Sequence, residues 1–254
     1  MERIEETGFG NIRLIQDTDG FCYGIDAVIL ADFTCRIRPD FKMAVDLGSG
    51  NGIIPFILSH KNKDARFIGV EVQEAAVRLA EKSCALNCLQ SRISFVNGDV
   101  SSLNRMVYEK EDVDVVTCNP PYFARGGGIP PENKGRFIAR HETTAEVGDF
   151  IKTAADILDG SGDLFMVHRP SRLVDIFCSC REYGLEPKTI RYVTPRAGEI
   201  PNIVLIHCVA GGGRELRMMR ELPVYGSNGQ YSDEIMDIYE RKTSETGGPE
   251  TCLR

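Results

Sequence analysis

Apolar positions recur along this 254-residue chain in short blocks whose period switches between two and about 3.6. Residues 43–47, 66–70, 93–96, 113–118 and 164–168 are nearly continuous apolar runs, which predicts buried strands. Residues 53–60, 74–87, 148–158 and 171–183 repeat their apolar side chains three and four apart, which predicts helices. Strand and helix therefore alternate. Such alternation implies a parallel sheet with helices on both faces. Strands at 189–193 and 203–209 bring the sheet to seven. Ahead of it, residues 11–16, the turn Asp17-Thr18-Asp19-Gly20 and residues 21–23 predict a small hairpin. A helix over 25–37 follows, with Ile25, Val28, Ile29 and Phe33 on one face, and Pro39 stops it.

Two stretches break this rhythm. Residues 123–146 hold Gly126-Gly127-Gly128, Pro130-Pro131 and Gly135 without an apolar period, and a loop of that length in a compact domain is more often functional than neutral. Beyond residue 209, Gly211-Gly212-Gly213 forms a hinge before a basic segment with Arg214, Arg217 and Arg220. The chain thus divides into an N-terminal hairpin and helix (1–40), a main α/β domain (41–240) and a frayed tail (241–254).

Composition narrows the class. With 42% hydrophobic and 26% charged residues and no apolar run near the roughly 20 residues a bilayer span needs, the chain reads as a soluble globular protein. Its first six residues lack the basic start and apolar block of a secretory signal, so the expected location is cytoplasmic. Nine cysteines scattered singly through the elements suggest small buried side chains rather than disulfides. Four histidines in separate elements lack ligand spacing, so no metal is expected. The net charge of -7 argues against a surface coated for nucleic acid. A local patch is still available: Arg125, Lys134, Arg136 and Arg140 against Glu132 give +3 within 125–140, enough to meet phosphates.

The chemistry concentrates at strand ends. Val45-Asp46-Leu47-Gly48-Ser49-Gly50-Asn51-Gly52 takes an apolar strand into a glycine turn and then a helix. Missing side chains there let a ligand approach the backbone, and the helix offers its N-terminal amides. A dinucleotide fingerprint would want glycine at 53, where this chain has Ile53. Asp46 could hold an ammonium group, Glu71 at the end of the second strand could accept two ribose hydroxyls, and Asp99 after the third could take an adenine amine. Three acids at three successive strand ends fit one bound nucleoside.

Seventy residues on, Cys118-Asn119-Pro120-Pro121-Tyr122 ends another apolar strand. The Asn119 side-chain oxygen and the Pro120 carbonyl could accept both N–H bonds of a conjugated exocyclic amine. That pulls its nitrogen toward tetrahedral geometry, while Tyr122 stacks on the base and Pro121 stiffens the turn. Catalysis of that kind needs positioning and electrostatics, not a strong general base.

The two motifs together resemble the amino-methyltransferases that use S-adenosyl-L-methionine. The chain as a whole, over about 7–240, resembles the bacterial methyltransferases of N6 of the adenine beside the anticodon of a valine tRNA. Residues 21–31, Arg140-His141-Glu142, Leu222-Pro223-Val224-Tyr225 and Asn228-Gly229-Gln230-Tyr231-Ser232 look like family segments. The resemblance implies a Rossmann-like seven-stranded methyltransferase sheet with an antiparallel ending. It implies cofactor contacts at Tyr23, Asp26, Asp46, Gly48, Ser49, Gly50, Gly52, Glu71, Val72, Asp99, Val100 and Asn119, with residues 1–40 covering the methionine end. The implied partner is tRNA, bound by a monomer without metal or membrane. Guanine N2 methylation of ribosomal RNA and glutamine amide methylation of a release factor stay open, because the pocket motif does not choose the acceptor. The release-factor enzymes usually carry a helical domain in front, and only about forty residues precede the first strand here. A non-catalytic scaffold is disfavoured because neither motif is degraded.

Overall fold

In the structure, a computed structural model, residues 2–17, 23–103, 112–122 and 145–241 are described. A central sheet runs in the order β5 (Ile93–Asn97), β4 (Arg66–Glu71), β3 (Met43–Leu47), β6 (Val115–Cys118), β7 (Asp163–His168), β9 (Ile203–Ala210) and β8 (Leu185–Arg196). These are the seven expected strands. β9 lies antiparallel between β7 and β8, as the resemblance implied. Two short strands, β10 (Arg217–Met218) and β11 (Leu222–Tyr225), extend the far edge by pairing successively along β8.

Helices α1 (Ile25–Ile37) and α2 (Ile53–Lys61) cover one face, and α4 (Val147–Leu158) and α5 (Leu173–Glu182) the other; α3 (Glu74–Leu86) packs on β4, β5 and the N-terminal strand β2 (Arg13–Asp17). A short helix α6 (Asp233–Ile238), capped by Ser232, joins the α1 face through Ile235, Ile238 and Tyr239. The sheet interior explains why strands 3, 6 and 7 read as unbroken apolar runs. Every residue of Met43–Leu47, Val115–Cys118 and Asp163–His168 is buried on both sides.

The N-terminal hairpin differs from expectation. β1 (Glu2–Glu6) pairs antiparallel with β2 (Arg13–Asp17), Ile4 opposite Ile15, so residues 11–16 mark the second arm rather than the first. The turn at 7–12 is closed by Thr7 N–H to Ile12 O at 3.0 Å, and it buries Phe9. β1 was unreadable because it is Glu-Arg-Ile-Glu-Glu, exposed along nearly its whole length. The expected turn residues Thr18, Asp19 and Gly20 lie outside the described residues.

Free thiols divide in a way composition did not show. Cys84, Cys118, Cys180 and Cys208 are buried, but Cys88 and Cys178 are exposed. No helix among the described residues is long and apolar enough to cross a membrane.

The order of strands places the site. The chain lays down β3, β4 and β5 in one direction, then returns to the other flank of β3 with β6. Strand order therefore reverses between β3 and β6. Ligands of open α/β sheets bind at the carboxyl edge beside such a reversal, and both sequence motifs emerge there.

Candidate active site at the carboxyl edge of the sheet

β3 carries Asp46 between Gly69 of β4 and Thr117 of β6. Immediately after it the chain doubles back. The Gly48 and Ser49 N–H groups both donate to the Val70 carbonyl, at 2.8 and 2.9 Å, which bolts the turn to β4. Gly52 N–H donates to Ser49 O at 2.8 Å and opens α2. The glycines at 50 and 52 serve different ends. A Cβ on Gly50 would meet nothing within 4 Å, so its backbone faces open space. At Gly52, with φ +84°, a Cβ would lie 2.5 Å from the Phe95 ring. Gly52→Ala is expected to cost about 3 kcal/mol of stability through left-handed strain plus overlap. A urea midpoint equal to that of the wild type would contradict it.

Three polar atoms on β3 and this turn are buried without a hydrogen-bond partner among the described residues: Asp46 Oδ2, Ser49 Oγ and Asn51 Nδ2. Buried polar groups are almost always paired, so such a cluster calls for a polar ligand. Asp46 is 3% exposed, and its other oxygen accepts from the Thr117 hydroxyl at 2.7 Å. Burial, with Glu71 nearby, pushes its carboxyl up to about 8. A cationic amine against Oδ2 would supply the missing charge and donor. Asn51 was inside the motif but not picked out by sequence. Its signal was its place, two residues before the helix start.

Glu71, also buried, ties two turns together. Its Oε2 accepts from Gly50 N–H and its Oε1 from Gln73 N–H, both at 2.9 Å. Burial raises its pKa in spite of these bonds. Each oxygen keeps lone-pair capacity for a further donor. Asn97 Nδ2–H donates to the carbonyls of Glu71 (3.0 Å) and Val72 (2.9 Å), which fixes the ends of β4 and β5 together. Asp99 accepts from the Ser101 N–H and hydroxyl, so it caps the single turn Val100–Ser102, whose Val100 is buried.

Asn119 leaves β6 half-buried beside this turn, since Cys118 pairs with Leu47. Pro120 is buried, and Pro121 and Tyr122 are half-buried. Tyr122 is gripped from three directions. Its hydroxyl donates to the Asp26 carboxylate in the first turn of α1. The His168 ring meets it edge-on at 5.3 Å, and the Arg169 guanidinium stands over the ring at 5.6 Å. His168 Nδ1 accepts from Arg169 N–H at 2.8 Å, so Nε2 carries the proton. Burial, together with the Arg172 and Arg169 charges, lowers His168 to about 4, and the ring is neutral near pH 7.

His168 and Arg169 were not among the expected site residues. Both sit at the end of β7, at the same sheet edge as Asn119, and that position was the available signal. Tyr23 is half-buried, packed against the core beside α1. Arg125, Lys134, Arg136, Arg140, His141 and Glu142 lie outside the described residues. Among the described residues no group of three His, Cys, Asp or Glu side chains could hold a metal ion.

Residues 27–175, more than half of the chain, match the methyltransferase small domain family. The chain belongs to that family. It is an S-adenosylmethionine-dependent methyltransferase. Among curated relatives, the tRNA1(Val) (adenine(37)-N6)-methyltransferase of Aeromonas hydrophila is 25% identical over 91% of this chain and 93% of its own. Its counterpart in Histophilus somni (strain 2336) is 24% identical over 94% and 97%. Of solved structures, a predicted O-methyltransferase from Agrobacterium tumefaciens overlays with a TM-score of 0.66 at 21% identity, covering 85% of this chain and 95% of its own. A ribosomal protein L11 methylase from Lactobacillus delbrueckii gives 0.55 at 14%, covering 79% and 86%. These overlays show the fold.

Proposed function

We propose that this methyltransferase acts on N6 of an adenine in tRNA, at the adenine 37 that the names of its relatives give. One observation carries the reading of the site. The buried, half-satisfied Asp46 and the Asn119 to Tyr122 turn leave adjacent strands at one sheet edge, so a donor held by the first reaches an acceptor held by the second.

The bound cofactor supplies a methyl group on a positively charged sulfur, which a nitrogen lone pair displaces in line. Asp46 Oδ2 holds its ammonium group, with Ser49 and Asn51 beside it, and the open backbone at Gly50 lets it lie close. Glu71, with Val72, is assigned to the ribose, and Asp99 with Val100 to the adenine end. Gly48, Gly50 and Gly52 shape the turn, and residues 1–40 cover the methionine end through Tyr23 and Asp26. The methyltransferase domain is assigned to 41–240. On the substrate side, Asn119 Oδ1 and the Pro120 carbonyl accept the two N–H bonds of the target amine, freeing its lone pair. Tyr122 stacks on the base with one ring face, because Arg169 stands over the other. Arg125, Lys134, Arg136 and Arg140 are assigned to the phosphates around a flipped nucleotide. Methylation makes the nitrogen acidic, so its proton leaves without a dedicated base.

The tRNA reading rests on the relatives' names together with this pocket. Valine-tRNA transcript incubated with protein and labelled S-adenosylmethionine should take up label, and a transcript with guanine in place of that adenine should not. Equal label in both would overturn the choice of acceptor.

Tyr122 gives a separate test. Tyr122→Phe keeps the ring but releases Asp26, and the transfer rate should fall by about tenfold, the worth of one hydrogen bond to a charged group. Tyr122→Ala also removes the stacking face and should raise KM for tRNA. If Phe and Ala behaved alike, the ring would have no substrate role.

A further inference from the structure

The far edge of the sheet is built in an unusual way. β10 is the outermost strand over Thr189 and Ile190 of β8, and residues 213–221 are all exposed. Arg214, Arg217 and Arg220 recur there at intervals of three, against Glu215 and Glu221, a net of +1 over 213–221. None of these three arginines makes an ion pair with the described residues. Arg36, Arg78, Arg172, Arg181, Arg191 and Arg196 each do. In a chain of net charge -7, three arginines spaced along one exposed edge make a local cationic stripe, although Arg214 also lies near Glu186 and helps to lower its carboxyl. Leu216, Met218 and Met219 lie among them, Met218 at 64% exposure.

The sheet itself gives the distance to the active site. β10 lies four strand steps from β6, the strand that delivers Asn119. At the usual inter-strand spacing this is roughly 19 Å. One turn of an A-form RNA duplex is longer, on the order of 30 Å. A nucleotide seated at Asn119 therefore leaves the phosphates of its adjoining stem within reach of this edge.

We infer that Arg214, Arg217 and Arg220 dock the phosphate backbone of the RNA stem next to the methylated nucleotide. This rests on the tRNA reading above and adds a second contact surface to it. The competing role is defensive, because charged side chains on an edge strand also block pairing with another chain. Charge reversal separates the two. Glutamate guards an edge as well as arginine does, but it repels phosphate.

The experiment compares wild type with two triple variants, Arg214→Glu/Arg217→Glu/Arg220→Glu and the same three changed to Ala. Each binds fluorescent valine-tRNA transcript, or a single-stranded oligonucleotide spanning the target adenine, across a range of salt. Unchanged calorimetric affinity for S-adenosylmethionine certifies that each variant is folded. The glutamate variant should bind the transcript at least about tenfold more weakly, and its log–log salt slope should shrink by about 2 to 3. Affinity for the oligonucleotide should hold, and the alanine variant should fall between. Wild-type affinity and salt slope in the glutamate variant would overturn the inference. So would self-association of the alanine variant with normal RNA binding by both, which marks a guard alone. Methyl transfer by the wild type is read in parallel. An inactive wild type that still binds tRNA through this edge would sink the tRNA-methylation reading and leave the docking surface standing.

Discussion

Asn119→Ala should lower the rate of methyl transfer by roughly 150-fold, about 3 kcal/mol of barrier, the scale of losing one preorganised polar contact in a dry site. Affinity for S-adenosylmethionine should stay within about twofold, because the substitution removes an acceptor for the substrate amine. The structure supports this division. Asn119 follows a fully buried strand and precedes a buried proline, so its backbone is fixed whatever the side chain. Single-turnover transfer under saturating cofactor measures the chemical step alone. An unchanged rate would remove Asn119 from catalysis, and lost cofactor affinity would move it to the other half of the site.

Asp46→Asn is the second large effect. It keeps the shape but removes the charge that faces the ammonium group, and cofactor affinity should fall by about 100-fold. The pH dependence provides a signature. In the ligand-free protein the Asp46 carboxyl is pushed up to about 8, chiefly by burial. Its folded pKa lies above its unfolded one, so its contribution to stability is full below about pH 4 and is lost as pH rises through about 8. An ammonium group favours the carboxylate, so binding below pH 8 expels a proton. Between about pH 5.5 and 7, affinity should climb with pH, approaching tenfold per unit. The groups facing Asp46 are Thr117 from β6, which donates to it, Glu71 from β4, whose own pKa is raised, and Cys118 from β6, whose thiol is pushed up by burial and by Asp46 itself. The Asn variant should show a flat profile. A wild-type profile that is flat too, or an Asn variant of full affinity, would contradict the assignment.

Much of this was legible in the sequence because buried parallel strands write themselves as apolar runs. Met43–Leu47, Arg66–Glu71 and Val115–Cys118 could be placed within two residues, and the motifs at their ends came with them. β1 and β10 left no such trace. Both are edge strands with charged, exposed side chains, so neither shows the apolar run or the alternation that marks a strand in sequence. β8 was expected at 189–193 but runs over Leu185–Arg196, because Pro187 sits at an irregular step in its pairing with β9. The acids at strand ends were readable as a set, but their division of labour was not. Glu71 and Asp99 also hold the backbone of their own turns, whereas Asp46 keeps one oxygen unpaired. The grip on Tyr122 needed the structure, since Asp26, Tyr122 and Arg169 are far apart in sequence and meet only where α1 and β7 converge.

Nucleoside analysis of labelled RNA tests the whole reading most directly. The protein is incubated with labelled S-adenosylmethionine and total RNA from a strain lacking its gene, and the RNA is digested and resolved by mass spectrometry. Label should appear as N6-methyladenosine in the tRNA fraction. Label in guanosine or in ribosomal RNA, or in protein glutamine when extract replaces RNA, would contradict the assignment.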